Sequence, residues 1–262
     1  MKKTIAIIGM GNMGGAIYRR LCDSMPPEQI LVCNRTRPVG IHTKSYFSSN
    51  INDLASRADC IILAVKPQSL DELIATLTTD LSKKIIISIL AGTTLTTLQK
   101  KTGAKKIIRA MPNLPTQVGS GVTAWVATSF MSMKEKNFVK EIFNTFGYEI
   151  QLRSEAMITN VSVISGCGPA YFFTLIEMMS AAAQRLGFSA REAEKLATTT
   201  FLGSAKLFAT GSKSAREWRE AVTSKKGVTE AVLKYVKEKK VDTIFYQALK
   251  AGIQRSKKLS SS

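Results

Sequence analysis

Residues 4–14 read Thr4-Ile5-Ala6-Ile7-Ile8-Gly9-Met10-Gly11-Asn12-Met13-Gly14. A short apolar run that breaks into Gly-x-Gly-x-x-Gly describes a strand turning sharply into a helix. The three glycines do different things. Gly9 permits the turn, Gly11 lets backbone approach a pyrophosphate, and Gly14 allows the helix to pack closely on the strand. The first turn of that helix presents unpaired N–H groups, a ready site for phosphate. The spacing alone occurs in ordinary turns. Its place directly after a strand and at the head of a helix makes it a dinucleotide-binding signal. Two lysines before the run imitate a signal peptide, but Asn12 and the glycines interrupt it too early, and it reads as a strand.

Outward from this motif, short β-rich runs alternate with helical stretches as far as residue 152. Strands are expected at residues 4–8, 30–33, 60–65, 85–89, 106–109 and 121–127, and helices at 11–24, 51–57, 67–77 and 133–146. That alternation predicts a mostly parallel, Rossmann-type sheet covered by helices. Beyond Gln151 strand-like runs disappear and residues 159–186, 190–210, 215–222, 228–239 and 242–258 read as helices, punctuated by Gly187, Gly211 and Gly227. The expectation is an α/β chain of two domains, residues 1–152 binding the dinucleotide and residues 153–262 all helical. Phe172, Phe173, Leu175, Ile176, Met178 and Met179 put apolar groups on more than one helix face, so their burial calls for a second copy of the chain.

Lys and Arg number 37 against 19 Asp and Glu, a net charge of +18. These charges are scattered, no zinc-finger spacing occurs, and basic residues do not interleave with aromatics, so a basic solvated surface is expected rather than a specific nucleic-acid interface. Cys22, Cys33, Cys60 and Cys167 form no C-x-x-C pair and sit in or beside apolar stretches, which fits a reduced, cytoplasmic compartment. No segment offers about 18 uninterrupted apolar residues, and a membrane span is not expected.

At the end of the second strand, where an NAD site usually carries a carboxylate for the ribose hydroxyls, the chain reads Asn34-Arg35-Thr36-Arg37. Arginine can hold a 2′-phosphate by charge-assisted hydrogen bonds, with Asn and Thr adding neutral ones. NADPH is therefore expected, with NADH as a weaker alternative. Further loops leave the carboxyl ends of strands, where ligands bind in open α/β sheets: Ala64-Val65-Lys66-Pro67, Ala91-Gly92 and Met111-Pro112-Asn113.

The single histidine, His42, lies in a polar stretch, and no cluster of His, Cys or carboxylates has metal-ligand spacing, so neither a His-based nucleophilic mechanism nor a metal is expected. The second half offers Ser165-Gly166-Cys167-Gly168-Pro169-Ala170-Tyr171 within a helical run, suggesting a kink, and Ser224-Lys225-Lys226-Gly227-Val228-Thr229 at a helix start, where hydroxyls and N–H groups suit a carboxylate.

Together, these motifs and a final Arg255-Ser256-Lys257-Lys258-Leu259 resemble pyrroline-5-carboxylate reductase over essentially the whole chain. The resemblance implies an NADPH domain bearing Gly-x-Gly-x-Met-Gly with Asn12 and Met13, and a helical domain that interlocks into a homodimer, often in a ring of dimers. It also implies reduction of the small molecule 1-pyrroline-5-carboxylate to L-proline, the last step of proline biosynthesis, by hydride transfer to the C=N carbon. In that reading Thr229 meets the imine nitrogen, while Ser224 and the backbone of Gly227, Val228 and Thr229 hold the carboxylate. Such chemistry needs alignment rather than a nucleophile or metal. The chain departs from the family's Ser-Pro-Gly-Gly-Thr-Thr by carrying Lys225, Lys226 and Val228. Other readings stay open: a reductase of another cyclic imine, a β-hydroxyacid dehydrogenase relative, or a cofactor-binding regulatory protein without turnover. The dehydrogenase would need a lysine within residues 159–186, where there is none.

Overall fold

Strand β1 (Ile5–Ile8) is an interior strand of an eight-stranded sheet and is buried on both faces, every residue 2% exposed or less. That is why it reads as a continuous apolar run rather than an alternating one. The computed structural model describes residues 3–261, with side chains as far as Lys258; Leu259, which closes the C-terminal motif, is outside the described side chains. The other strands are β2 (Ile30–Cys33), β3 (Tyr46–Ser48), β4 (Cys60–Leu63), β5 (Ile85–Ser88), β6 (Lys106–Met111), β7 (Gly121–Ala127) and β8 (Gly147–Gln151). Their order is β3-β2-β1-β4-β5-β6-β7-β8, with every pairing parallel except β6 with β7. Register is direct around β1, where Ile5 opposes Ile30 on one side and Cys60 on the other. The chain reverses its winding direction between β1 and β4, the crevice where such sheets bind ligands.

Helices α1 (Asn12–Cys22), α2 (Ile51–Arg57), α3 (Leu70–Ala75), α4 (Leu95–Thr102) and α5 (Met133–Asn144) accompany the sheet. Ile5 and Ile7 share one core with Ile17 and Leu21 of α1 and Val139 and Phe143 of α5. Ala6 and Ile8 share the opposite core with Leu54 of α2 and Leu98 of α4. Each fully buried Ile or Leu contributes about 1.5–3 kcal/mol relative to exposure, so β1 anchors both layers. Three elements were not expected from sequence. β3 is a three-residue edge strand, β8 is a half-exposed edge strand, and α4 is threonine- and lysine-rich but is started by Thr94, whose hydroxyl accepts from Thr97 N–H. The expected helix at 67–77 is a short 3₁₀ turn at Pro67–Ser69 followed by α3, because Pro67 fixes its own backbone turn.

Two compact units divide the chain: Met1–Cys167 with Ile253–Ser262, and Gly168–Gly252. Near the end of the first, α6 (Met157–Val161) runs into a π turn at Ser162–Gly166, marked by the hydrogen bond from Cys167 N–H to Ser162 O. This is the local irregularity expected beside Ser165. The second unit holds α7 (Gly168–Arg185), α8 (Ala190–Phe208), α9 (Ala215–Ala221), α10 (Val228–Glu238) and the start of α11 (Val241–Ser261).

The second unit has almost no core of its own. α7 buries no residue, α8 buries only Ala193 and Ala197, and Phe172, Phe173 and Met178 are all more than half exposed. Large apolar side chains left in water at this density mark a surface that another chain covers. The run Met157–Arg185 is also long and apolar enough to cross a membrane by length and composition. The expectation from uninterrupted apolar runs did not anticipate this, because Asn160, Ser162, Ser165, Glu177 and Ser180 break the run without lowering its average much.

Candidate cofactor cradle and substrate loop

Gly9 has φ +96°, a left-handed conformation, and a Cβ there would stand 2.8 Å from the Ala64 backbone. A Cβ on Gly14 would collide with the Gly9 carbonyl, so the helix meets the strand with no room for a side chain. Gly11, in contrast, faces open space and is the N-cap of α1, with no side-chain cap. Turn, helix contact and an open backbone face thus fall on Gly9, Gly14 and Gly11 respectively.

A cavity of about 560 Å3 opens at this turn. Of the expected cofactor residues, Gly9, Gly11, Asn34, Arg35, Ala64, Val65 and Lys66 line it. Ser49, Asn50 and Glu72 line it as well, and no motif in the sequence pointed to them. The Asn34 side chain braces the loops themselves: its Oδ1 accepts from Met10 N–H at 3.3 Å and its Nδ2 donates to Thr36 O at 3.0 Å. Arg35 is 81% exposed at its side chain and pairs with Glu72 at 2.9 Å.

The remaining cofactor candidates lie outside the lining of this cavity. Asn12 is exposed and Met13 half-buried in the first turn of α1, whereas Thr36 is an exposed loop residue and Pro67 is exposed at the start of its 3₁₀ turn. Ala91 is exposed and Gly92 has φ +77°, a conformation that favours glycine. Met111 is half-buried, while Pro112 and Asn113 are buried. The Asn113 amide is committed to structure: Oδ1 accepts from Val122 N–H at 2.8 Å and Nδ2 donates to Ser165 O at 3.0 Å. Gly166 lies close to Met111, whose Cε would be 3.0 Å from a Cβ added there.

In the second unit, Ser224-Lys225-Lys226-Gly227 forms a tight turn into α10, with Gly227 N–H donating to Ser224 O at 3.0 Å. A Cβ on Gly227 would collide with the Ser224 hydroxyl, so that glycine is required by close approach. Lys226 has φ +60°, the left-handed region, at a position where glycine would be unstrained. Glu230 stabilises the turn by accepting from Lys226 N–H at 2.6 Å. Thr229 is half-buried, and Ser224 and Val228 are exposed.

Helix starts separate into two kinds. Asn50, Thr94, Ser132, Ser189 and Ser214 side chains cap α2, α4, α5, α8 and α9, satisfying N–H groups of the first turn. α1, α3, α6 and α10 have no side-chain cap, and of these α1 and α10 begin at glycines, Gly11 and Gly227. Their first N–H groups are available to a phosphate or carboxylate. The four cysteines are free thiols, and burial pushes that of Cys60 up to about 12, which leaves it chemically inert.

Residues 155–259 match the family described as pyrroline-5-carboxylate reductase dimerisation, and residues 4–92 match NADP oxidoreductase, coenzyme F420-dependent. The first match covers the helices whose apolar faces are exposed in the single chain. A pyrroline-5-carboxylate reductase from Aquifex aeolicus is 32% identical over 97% of this chain and 97% of its own. A pyrroline-5-carboxylate reductase structure from Coxiella burnetii superposes with a TM-score of 0.92 at 32% identity, covering 100% of both chains. The Plasmodium falciparum pyrroline carboxylate reductase with NADP bound gives 0.86 at 25% identity, over 98% of each chain. With its parallel-dominated sheet, helical C-terminal region and full-length similarity, the chain belongs to the pyrroline-5-carboxylate reductase family.

Proposed function

We propose that this chain reduces 1-pyrroline-5-carboxylate to L-proline with NADPH as the hydride donor, the closing step of proline biosynthesis. The observation that carries the reading is the glycine cradle and its cavity, with Arg35 rather than a carboxylate at the end of β2. The cradle fits a dinucleotide: Gly9 and Gly14 exclude side chains, Gly11 leaves backbone accessible, and α1 presents uncapped N–H groups. Asn12 and Met13 extend this phosphate-facing turn. Arg35, helped by Asn34 and Thr36, holds the 2′-phosphate. Ala64, Val65, Lys66, Pro67, Ala91, Gly92, Met111, Pro112 and Asn113 complete the cofactor surface, Asn113 through its backbone because its amide is already paired. When bound, NADPH supplies the hydride that reduces the C=N carbon.

The uncapped start of α10 receives the substrate carboxylate on the backbone N–H groups of Val228 and Thr229, with Gly227 shaping the turn because its own N–H is paired with Ser224 O, and the Ser224 hydroxyl adding a donor. The Thr229 hydroxyl orients the imine nitrogen by hydrogen bonding. A hydroxyl is too weak an acid to protonate that nitrogen alone, so its contribution is positional. Lys225 and Lys226, both exposed, attract the acidic substrate.

The cofactor domain is taken as residues 1–152 and the helical domain as 153–262. The exposed apolar faces of the helical domain pair in a homodimer, and dimers close into a ring in the cytoplasm, where four free thiols stay reduced. The test of the reading is consumption of NADPH by the purified chain on addition of 1-pyrroline-5-carboxylate, with proline as the product.

A further inference from the structure

We propose that Glu72 sets how strongly the cradle prefers NADPH over NADH, by competing with the 2′-phosphate for Arg35. The inference rests on the cofactor reading above and adds a specificity-determining residue that the motifs do not contain. Glu72 is the one carboxylate among the described residues lining the 560 Å3 cavity. It comes from the first turn of α3, not from the end of β2, where an NAD site usually places its acid.

Its two oxygens lie 2.9 and 3.1 Å from a single nitrogen of Arg35, Nη2. This is not the two-nitrogen fork that fixes arginine on a carboxylate. Both side chains are largely exposed, 81% for Arg35 and 69% for Glu72, so solvent screens the pair and it yields readily. Glu72 therefore holds Arg35 at the cavity without blocking it.

The two cofactors meet this pair differently. A 2′-phosphate must draw Arg35 away from Glu72 and then sit beside a like charge, which opposes binding. A 2′-hydroxyl carries no charge and can donate a hydrogen bond to the carboxylate. The carboxylate thus weakens NADPH binding and leaves NADH binding unchanged or slightly helped. Glu72→Gln keeps the side chain's size and removes its charge.

The experiment is fluorescence titration of the full chain, wild type and Glu72→Gln, with NADPH and with NADH at low and high ionic strength. The ratio of the NADH to the NADPH dissociation constant is expected to rise about three- to fivefold in the variant, the scale of an exposed charge pair. High salt is expected to shrink that gain. An unchanged ratio, or equal tightening of both cofactors, in a wild type that binds NADPH overturns the role of Glu72 alone. A wild type that binds neither cofactor overturns the cofactor reading and this inference together.

Discussion

The side-chain amide of Asn113 donates to the carbonyl oxygen of Ser165 at 3.0 Å, tying the end of β6 to the π turn that precedes α7. A π turn shifts the helical hydrogen-bond register, and such turns recur at functional positions. The other end of the same amide accepts from Val122 N–H at 2.8 Å, so one buried side chain fixes both β7 and the turn. Asn113→Ala is expected to cost about 1–2 kcal/mol, since it leaves the half-buried Val122 N–H and Ser165 C=O without this partner. Denaturant titration measures it, and a loss under about 0.5 kcal/mol would show that the amide does not brace these elements.

Arg35 is expected to matter far more to NADPH than to NADH. Arg35→Ala removes charge-assisted hydrogen bonds to the 2′-phosphate, worth about 1.5–3 kcal/mol, or roughly a 10- to 100-fold weaker NADPH complex. NADH affinity should change by less than about threefold. Equal losses for both cofactors, measured by equilibrium titration, would remove Arg35 from the phosphate site.

Lys226 holds a glycine-like conformation. Left-handed backbone costs a residue with a Cβ about 1–2 kcal/mol, partly offset because glycine gains entropy when unfolded. Lys226→Gly should therefore stabilise the protein by about 0.5–1 kcal/mol, whereas Lys226→Val, β-branched, should destabilise it. Finding Val at least as stable as Gly in chemical denaturation would contradict the φ of +60° on which this rests.

The acid limb of stability should depend on Glu135. Burial opposes its charge, but Lys106 at 2.6 Å and hydrogen bonds from Ser132 outweigh burial and hold its carboxyl at about 2. A folded-state value below the unfolded one means that its stabilisation is present above about pH 5 and is lost as pH falls towards about 2. Glu135→Gln should be less stable at about pH 7 and show a shallower decline from about pH 5 to about pH 2. Parallel declines in thermal melts across that range would rule out the carboxylate as the cause.

Central features of this fold were legible because their physics is local. The apolar run 5–8 and the glycines at 9, 11 and 14 announce strand, turn and helix within one short stretch, and the apolar groups spread around α7 announce a missing partner. Edge strand β3 offers only Tyr46, Phe47 and Ser48, too few for alternation to register. Helix α4 carries Thr96, Thr97 and Thr102 and no acidic first turn, so its propensity is poor, and its start depends on the Thr94 cap. In the cradle, Arg35 could be read from its place after β2, but Glu72 lies 37 positions away and is brought to it by the crossover between β4 and β5. Asn113 could be located at a strand end, yet its commitment to Val122 and Ser165 depends on tertiary contacts that spacing does not encode.

The most direct test is turnover. Purified chain is supplied with 1-pyrroline-5-carboxylate and NADPH, nicotinamide absorbance is followed, and the product is identified, with NADH and the six-membered cyclic imine in parallel. The account predicts stoichiometric formation of proline, faster with NADPH than with NADH and faster with the five-membered ring. NADPH binding without proline formation would contradict it and would point to the lysine-bearing loop, residues 224–229, as having lost this substrate.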